Sequence, residues 1–196
     1  MRCFIGLPLN ETYQEILGQI IRQWKPRLRS RMTWTRPGNW HLTLKFLGET
    51  SQEQISLLRE ALVNSRPAAF LLQGQGGGSF PNPDASRKTF RRGPRVLWVG
   101  LSRGVEETRE LAGRVQDMTE VLGFPRDERA FRPHLTVARI KQPENDPWDM
   151  VLESFQEITW PETIIDRMVL WESRLSPRGP EYAPLVEWRL ETGVEA

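Results

Sequence analysis

The chain has 196 residues, enough for one substantial core or for two small lobes sharing one, and its 38% hydrophobic and 27% charged content fits a globular protein rather than a disordered or fibrous one. No apolar run approaches the roughly 18 residues needed to cross a bilayer, and Met1 to Asn10 is too short and too early broken to be a signal sequence, so a cytoplasmic location is expected. One cysteine, Cys3, excludes an internal disulfide framework and a thiolate metal cluster; it reads as a small buried residue of the first strand. The net charge of +2 hides basic clusters at Arg22 to Arg36 and at Arg87, Lys88, Arg91, Arg92 and Arg95, either of which would attract a polyanion.

In chain order, Cys3 to Leu9 reads as a strand closed by Pro8. Asn10 can cap a helix in which Tyr13, Ile16, Leu17, Ile20, Ile21 and Trp24 recur at helical spacing until Pro26. Arg27 to Asn39 reads as an irregular basic linker, followed by a strand from His41 to Gly48. Ser51 and Gln54 have capping-box spacing ahead of a second helix ending near Asn64. Ala69 to Gln73 reads as a strand running into Gly74 to Gly78. No Gly-Lys-Ser/Thr follows that glycine run and Phe80-Pro81-Asn82-Pro83 cannot open a helix, so it is not a phosphate loop.

The second half repeats the plan. Arg95 to Leu101 is a strand, Leu111, Val115, Met118 and Leu122 mark a helix stopped by Gly123, and a strand runs from His134 to Ile140. Asp146-Pro147 reads as a cap with proline at the first helical position. Ile164 to Arg174 and Glu181 to Leu190 read as two strands joined by a turn at Ser176 to Gly179. Phe4-Ile5-Gly6-Leu7 matches Trp98-Val99-Gly100-Leu101 at an offset of 94, His41 matches His134 at 93, and Phe70-Leu71 matches Ile164-Ile165 at 94. That regularity predicts an internal duplication, with lobe one at about residues 1–80, lobe two at about 95–190, and termini free to cross between them.

The only two histidines both lie in His-Leu-Thr, at His41-Leu42-Thr43 and His134-Leu135-Thr136. Residues two apart share a face of a strand, so each histidine projects beside its threonine, and a duplicated unit sets the pairs across one cleft. Imidazole titrates near 6.5, so one ring can accept a proton while the other donates one, as in-line displacement at phosphorus requires. Threonine hydroxyls can hold the non-bridging oxygens. Such a reaction needs no metal and no cofactor.

In these motifs, in Arg2 to Leu7, in His41 to Gly48, in Phe131 to Arg139 and in Glu172 to Pro180, the chain resembles the two-histidine (2H) phosphoesterase superfamily, and within it the RNA 2',3'-cyclic phosphodiesterases, also described as 2'-5' RNA ligase-like proteins. The resemblance covers nearly the whole chain. It implies an α+β protein of two pseudo-symmetric lobes, with antiparallel sheets lining a central cleft and helices outside. It implies hydrolysis of RNA or nucleotide 2',3'-cyclic phosphates to 2'-phosphomonoesters, with His134 activating water and His41 protonating the departing 3' oxygen. Thr43, Thr136 and Arg139 would hold the phosphate. Strict alternation puts Arg139 on the face opposite His134, so it reaches the cleft only if the strand twists, bulges or ends nearby. Trp34, Trp40 and Phe131 are candidates for stacking on a base, while Trp171, Tyr182 and Trp188 read as packing. The expected partner is RNA with a cyclic phosphate end, or a small cyclic nucleotide, bound by a monomer. Two alternatives stay open: 2'-5' end joining, and a non-catalytic RNA-end-binding module using the same cleft.

Overall fold

A computed structural model of the chain describes residues 1–63, 67–80, 93–176 and 179–191. The first strand, β1 (Arg2–Pro8), leads into α1 (Glu11–Trp24), where the Asn10 side chain accepts from the Tyr13 backbone N–H, as its spacing predicts. The expected irregular linker contains a short strand, β2 (Arg31–Trp34). Then come β3 (His41–Glu49), α2 (Gln52–Val63) and β4 (Phe70–Phe80). Ser51 and Gln54 exchange both capping-box hydrogen bonds ahead of α2.

The glycine run does not interrupt β4, which passes straight through it, because aromatic rings lie against the backbone there. A Cβ on Gly77 would meet Phe155 at 2.1 Å, and one on Gly78 would meet the Trp98 indole at 2.2 Å.

The second half supplies β5 (Val96–Arg103), α3 (Val105–Val121), β6 (Leu135–Gln142) and α4 (Trp148–Gln156). The segment read as one strand from Ile164 breaks at Asp166 into β7 (Glu162–Ile165) and β8 (Arg167–Ser176), and β9 (Gly179–Arg189) follows. The turn expected between the last two includes residues 177 and 178, which lie outside the described residues. Asp146 does not cap α4. Its carboxylate instead accepts from the backbone N–H groups of Arg29 and Ser30, at 2.8 and 2.9 Å. It therefore ties the basic linker to the end of β6.

The described strands form one antiparallel sheet in the order β7-β4-β5-β6-β3-β1-β8-β9, with β2 added along β6. The order is pseudo-symmetric about the β3/β6 junction, where β1 flanks β3 as β5 flanks β6. Two of the three offset landmarks fall at such equivalent places. The third does not, since Phe70 and Ile165 are hydrogen-bonded neighbours in the β4/β7 ladder and the spatial counterpart of β4 is β8. In the sheet β4 sits beside β5, and β8 and β9 follow on from β1, so strands from the two halves of the chain are neighbours at both places. The helices cover one face, α3 against β3 and α4 against β4. Leu42, Leu97, Val99, Leu135 and Val137 are fully buried in the core. Each such side chain contributes about 1.5–3 kcal/mol of transfer free energy, so the sheet face carrying them is fixed and the opposite face of β3 and β6 is left for His41 and His134.

Candidate active site

The two halves meet at a single ladder pair, Leu42 with Leu135. The antiparallel register this pair sets puts His41 across from Thr136 and Thr43 across from His134. All four are partly exposed, whereas Leu42 and Leu135 between them are fully buried. The two histidines and two threonines therefore form a quartet on one face, each histidine diagonal to the other.

Both imidazoles are oriented in the same way. His41 Nδ1 donates to the carbonyl of Asn39, and His134 Nδ1 donates to the carbonyl of Arg132, each at 2.7 Å and each two residues back. A carbonyl only accepts, so Nδ1 carries the proton on both rings and Nε2 is the atom left to exchange one. In His41, Nε2 lies 2.9 Å from Thr43 Oγ1.

Aromatic rings from equivalent strands flank each histidine. Phe4 on β1 and Trp171 on β8 lie 4.6 and 5.4 Å from His41, with Tyr182 of β9 edge-on at 5.3 Å. Trp98 on β5 and Phe80 on β4 lie 6.4 and 5.3 Å from His134. Trp171 and Tyr182 are thus walls of the site, not the remote packing residues their sequence context indicates. Trp188, 5% exposed, does pack. The offset of 94 between Phe4 and Trp98 is the signal that locates the first flanking pair; the same offset sets Trp171 of β8 against Gly77 of β4 and not against Phe80, so the second pair does not stand out.

Burial among these rings opposes charge on both imidazoles and lowers both pKa values. His41, enclosed by three rings, is brought down to about 4 by burial first, with the Asn39 carbonyl acting the other way and the Arg139 guanidinium and His134 adding to the fall. His134 is lowered by burial and by Arg139 against the opposing pull of the Arg132 carbonyl. Burial raises the Tyr182 hydroxyl, and Arg139 again acts on it. One cation thus reaches both imidazoles and the phenol.

A bulge brings it there. Strand β6 pairs as Leu97 with Ala138 and next Trp98 with Thr136, so Val137 is one residue too many for the ladder. Val137 and Ala138 are consecutively buried, and Arg139 emerges exposed on the face of His134 and Thr136. The same happens in β3, where Ile5 pairs with Lys45 and next Gly6 with Thr43. Leu44 and Lys45 are consecutively buried, and Phe46 emerges 59% exposed at the position equivalent to Arg139. Lys45 is turned into the core, where its ammonium donates to Gln116 and to the carbonyl of Pro125.

An open groove of about 1060 Å³ abuts the histidines through Phe4, Arg139 and Tyr182. Trp34 lines it and is half-buried, and Phe131 is likewise half-buried. Trp40 also borders the groove but is only 2% exposed, too buried to offer a ring face to a base. Cys3 is buried, as expected. Arg87, Lys88, Arg91 and Arg92 lie outside the described residues. Among the described residues no group of three His, Cys, Asp or Glu side chains could hold a metal ion, and no helix is long and apolar enough to cross a membrane.

The family model for LigT like Phosphoesterase matches this chain twice in succession, over residues 7–90 and 99–182. Curated relatives named RNA 2',3'-cyclic phosphodiesterase include one from Thermotoga maritima, 33% identical with 99% of this chain and 98% of the relative covered, and one from Archaeoglobus fulgidus, 32% identical with 94% and 98% covered. Among solved structures, a protein of Thermus thermophilus superposes with a TM-score of 0.79 at 26% identity, covering 99% of this chain and all of the other. E. coli LigT in complex with 3'-AMP superposes with a TM-score of 0.71 at 25% identity, covering 96% and 97%.

Proposed function

The chain belongs to the LigT-like, two-histidine phosphoesterase family, and from that premise we propose that it hydrolyses RNA 2',3'-cyclic phosphates to 2'-phosphomonoesters using His41 and His134 as its acid–base pair. The observation that carries the reading is the diagonal quartet of His41, Thr43, His134 and Thr136 around the Leu42–Leu135 pair. A phosphorus seated at its centre has one Nε2 on each side, as in-line attack and departure require.

His134 Nε2 takes a proton from water as the water oxygen bonds to phosphorus. The bond from phosphorus to the 3' oxygen breaks, and His41 Nε2 supplies that oxygen with a proton. The pair finishes with its protonation exchanged and resets through solvent. Each transfer contributes roughly 10²–10⁴-fold. Thr43 and Thr136 donate to the non-bridging oxygens, and Arg139 adds a planar cation suited to the phosphate. The substrate anion also favours the imidazolium that burial disfavours, so binding helps charge the acid. No step calls on a metal or a cofactor.

One chain carries both halves of the quartet, so a monomer, proposed to act in the cytoplasm, is a complete catalytic unit. The names of the relatives favour hydrolysis over 2'-5' end joining or binding alone. Turnover of a cyclic-phosphate substrate by His41→Ala and His134→Ala tests the proposal. Each variant is expected to lose at least about a hundredfold in kcat while keeping the wild-type melting temperature, and near-full turnover by either overturns the two-histidine mechanism.

A further inference from the structure

The pseudo-symmetry of the sheet would supply two equivalent approaches to the phosphate, yet the groove beside the site is one-sided in charge. Arg2, Arg22, Lys25, Arg36, Arg139 and Lys141 line it, and among the described residues no aspartate or glutamate does. None of these six cations forms an ion pair with a described residue, and all but the half-buried Arg36 are exposed. The pocket near Phe70 and Ile164 provides the contrast, since there Arg103 and Arg114 are balanced by Glu107 and Glu110. Unpaired like charges gathered along one groove repel one another and stand ready for a polyanion.

The elements that build the groove keep those charges in line. Arg22 and Lys25 end α1, Arg36 follows β2, and Arg139 and Lys141 lie along β6, to which β2 is paired. Asp146 holds the chain ahead of β2 by its two backbone hydrogen bonds, so the row is anchored. Between the cations lie Trp34 and the 59% exposed ring of Phe46, a large apolar surface left open beside a polar site. Cations alternating with open aromatic faces are what single-stranded nucleic acid binds, phosphates to the charges and bases to the rings.

We infer that this groove is a track for the RNA strand leading to the cyclic end, so that the preferred substrate is an oligonucleotide of several residues and not a cyclic mononucleotide. The inference rests on the hydrolytic reading above for the identity of the terminal group, but the groove itself is tested separately. A cyclic mononucleotide fills only the quartet and its rim. An oligonucleotide adds contacts to phosphates upstream, and neutralising about three of them on a single strand gives a slope of log affinity against log salt near −2.

The experiment compares adenosine 2',3'-cyclic phosphate with an eight-nucleotide RNA ending in 2',3'-cyclic phosphate, at 50 and 500 mM salt, for wild type and Arg22→Ala/Lys25→Ala. Anisotropy titrations of the same labelled RNA run in parallel. For wild type, kcat/KM is expected to favour the oligonucleotide by at least about tenfold at low salt and to lose about a hundredfold on that substrate at high salt. In the double variant the ratio of oligonucleotide to mononucleotide kcat/KM should collapse several-fold and the salt slope should flatten. Equal kcat/KM on both substrates, or an oligonucleotide affinity indifferent to salt and to the double substitution, overturns the track. Loss of turnover on both substrates with salt-dependent RNA binding intact would instead sink the hydrolytic reading and leave the track standing.

Discussion

Leu42 and Leu135 pair at the one ladder position that joins β3 to β6, and both are fully buried. Everything proposed for the site depends on that pair, because it fixes the distance and register between the two His-Leu-Thr strands. Each leucine faces the helices while its neighbours on either side face the cleft.

Leu135→Ala is therefore expected to cost about 2–5 kcal/mol, the range for truncating a fully buried leucine, equivalent to a fall in melting temperature of about 4–20 °C for a domain of this size. Turnover measured well below the melting temperature should also drop, since the quartet loses its shared anchor. Thermal denaturation and a turnover assay at the same temperature check both parts. A stability loss under about 1 kcal/mol would show that the junction does not set the site.

The pH dependence follows from the direction of the imidazole shifts. In the free protein His41 is lowered to about 4 and His134 is also lowered, so at neutral pH both rings are uncharged. In the proposed mechanism the reactive form carries one proton on the pair and is most populated between its two macroscopic pKa values. The profile of kcat/KM should thus peak below about pH 6.5, the unperturbed imidazole value, and decline as pH rises past the upper value. Arg139 opposes both imidazolium charges, so Arg139→Met should move both limbs of the profile to higher pH while raising KM for the anionic substrate. A wild-type optimum above about 7, or a shift to lower pH in the variant, would contradict this reading.

The two histidines are separated in role by the leaving group. With sulfur replacing the 3' oxygen, the departing thiolate needs little protonation, so a variant lacking the acid should recover. His41→Ala is expected to fall within about tenfold of wild type on the 3'-thio substrate, against a loss of about 10²–10⁴ on the oxygen substrate. His134→Ala should stay impaired on both. Rescue of His134→Ala instead would exchange the two assignments.

The sequence disclosed the quartet because histidine is rare in it and because the two copies stand 93 residues apart with matching context. Helix signals were equally readable, down to the Asn10 cap and the Ser51–Gln54 box, since caps act within a few residues. What alternation could not supply was anything beyond the bulges. Carried past Thr43 it places Lys45 in the cleft, but the extra Leu44 turns Lys45 inward and Phe46 outward. The identical slip at Val137 brings Arg139 to the site. Bulges are set by ladder geometry between strands distant in sequence, here β5 with β6 and β1 with β3, so a single strand's pattern does not announce them. Trp171 and Tyr182 were missed for a related reason: β8 reaches His41 by pairing with β1 and β9 by pairing with β8, ladders between strands distant in sequence, and nothing local in either strand points to His41. Asp146 followed its local cap signal only on paper, because the free backbone N–H groups of Arg29 and Ser30 compete for the same carboxylate.

The central claim is tested most directly by phosphorus NMR of a short RNA ending in 2',3'-cyclic phosphate, incubated with the purified protein in excess chelator alongside His134→Ala. Conversion by wild type alone to the 2'-phosphomonoester is the predicted result. A cyclic phosphate left intact by wild type, a 3'-phosphate product, or equal conversion by His134→Ala would contradict it.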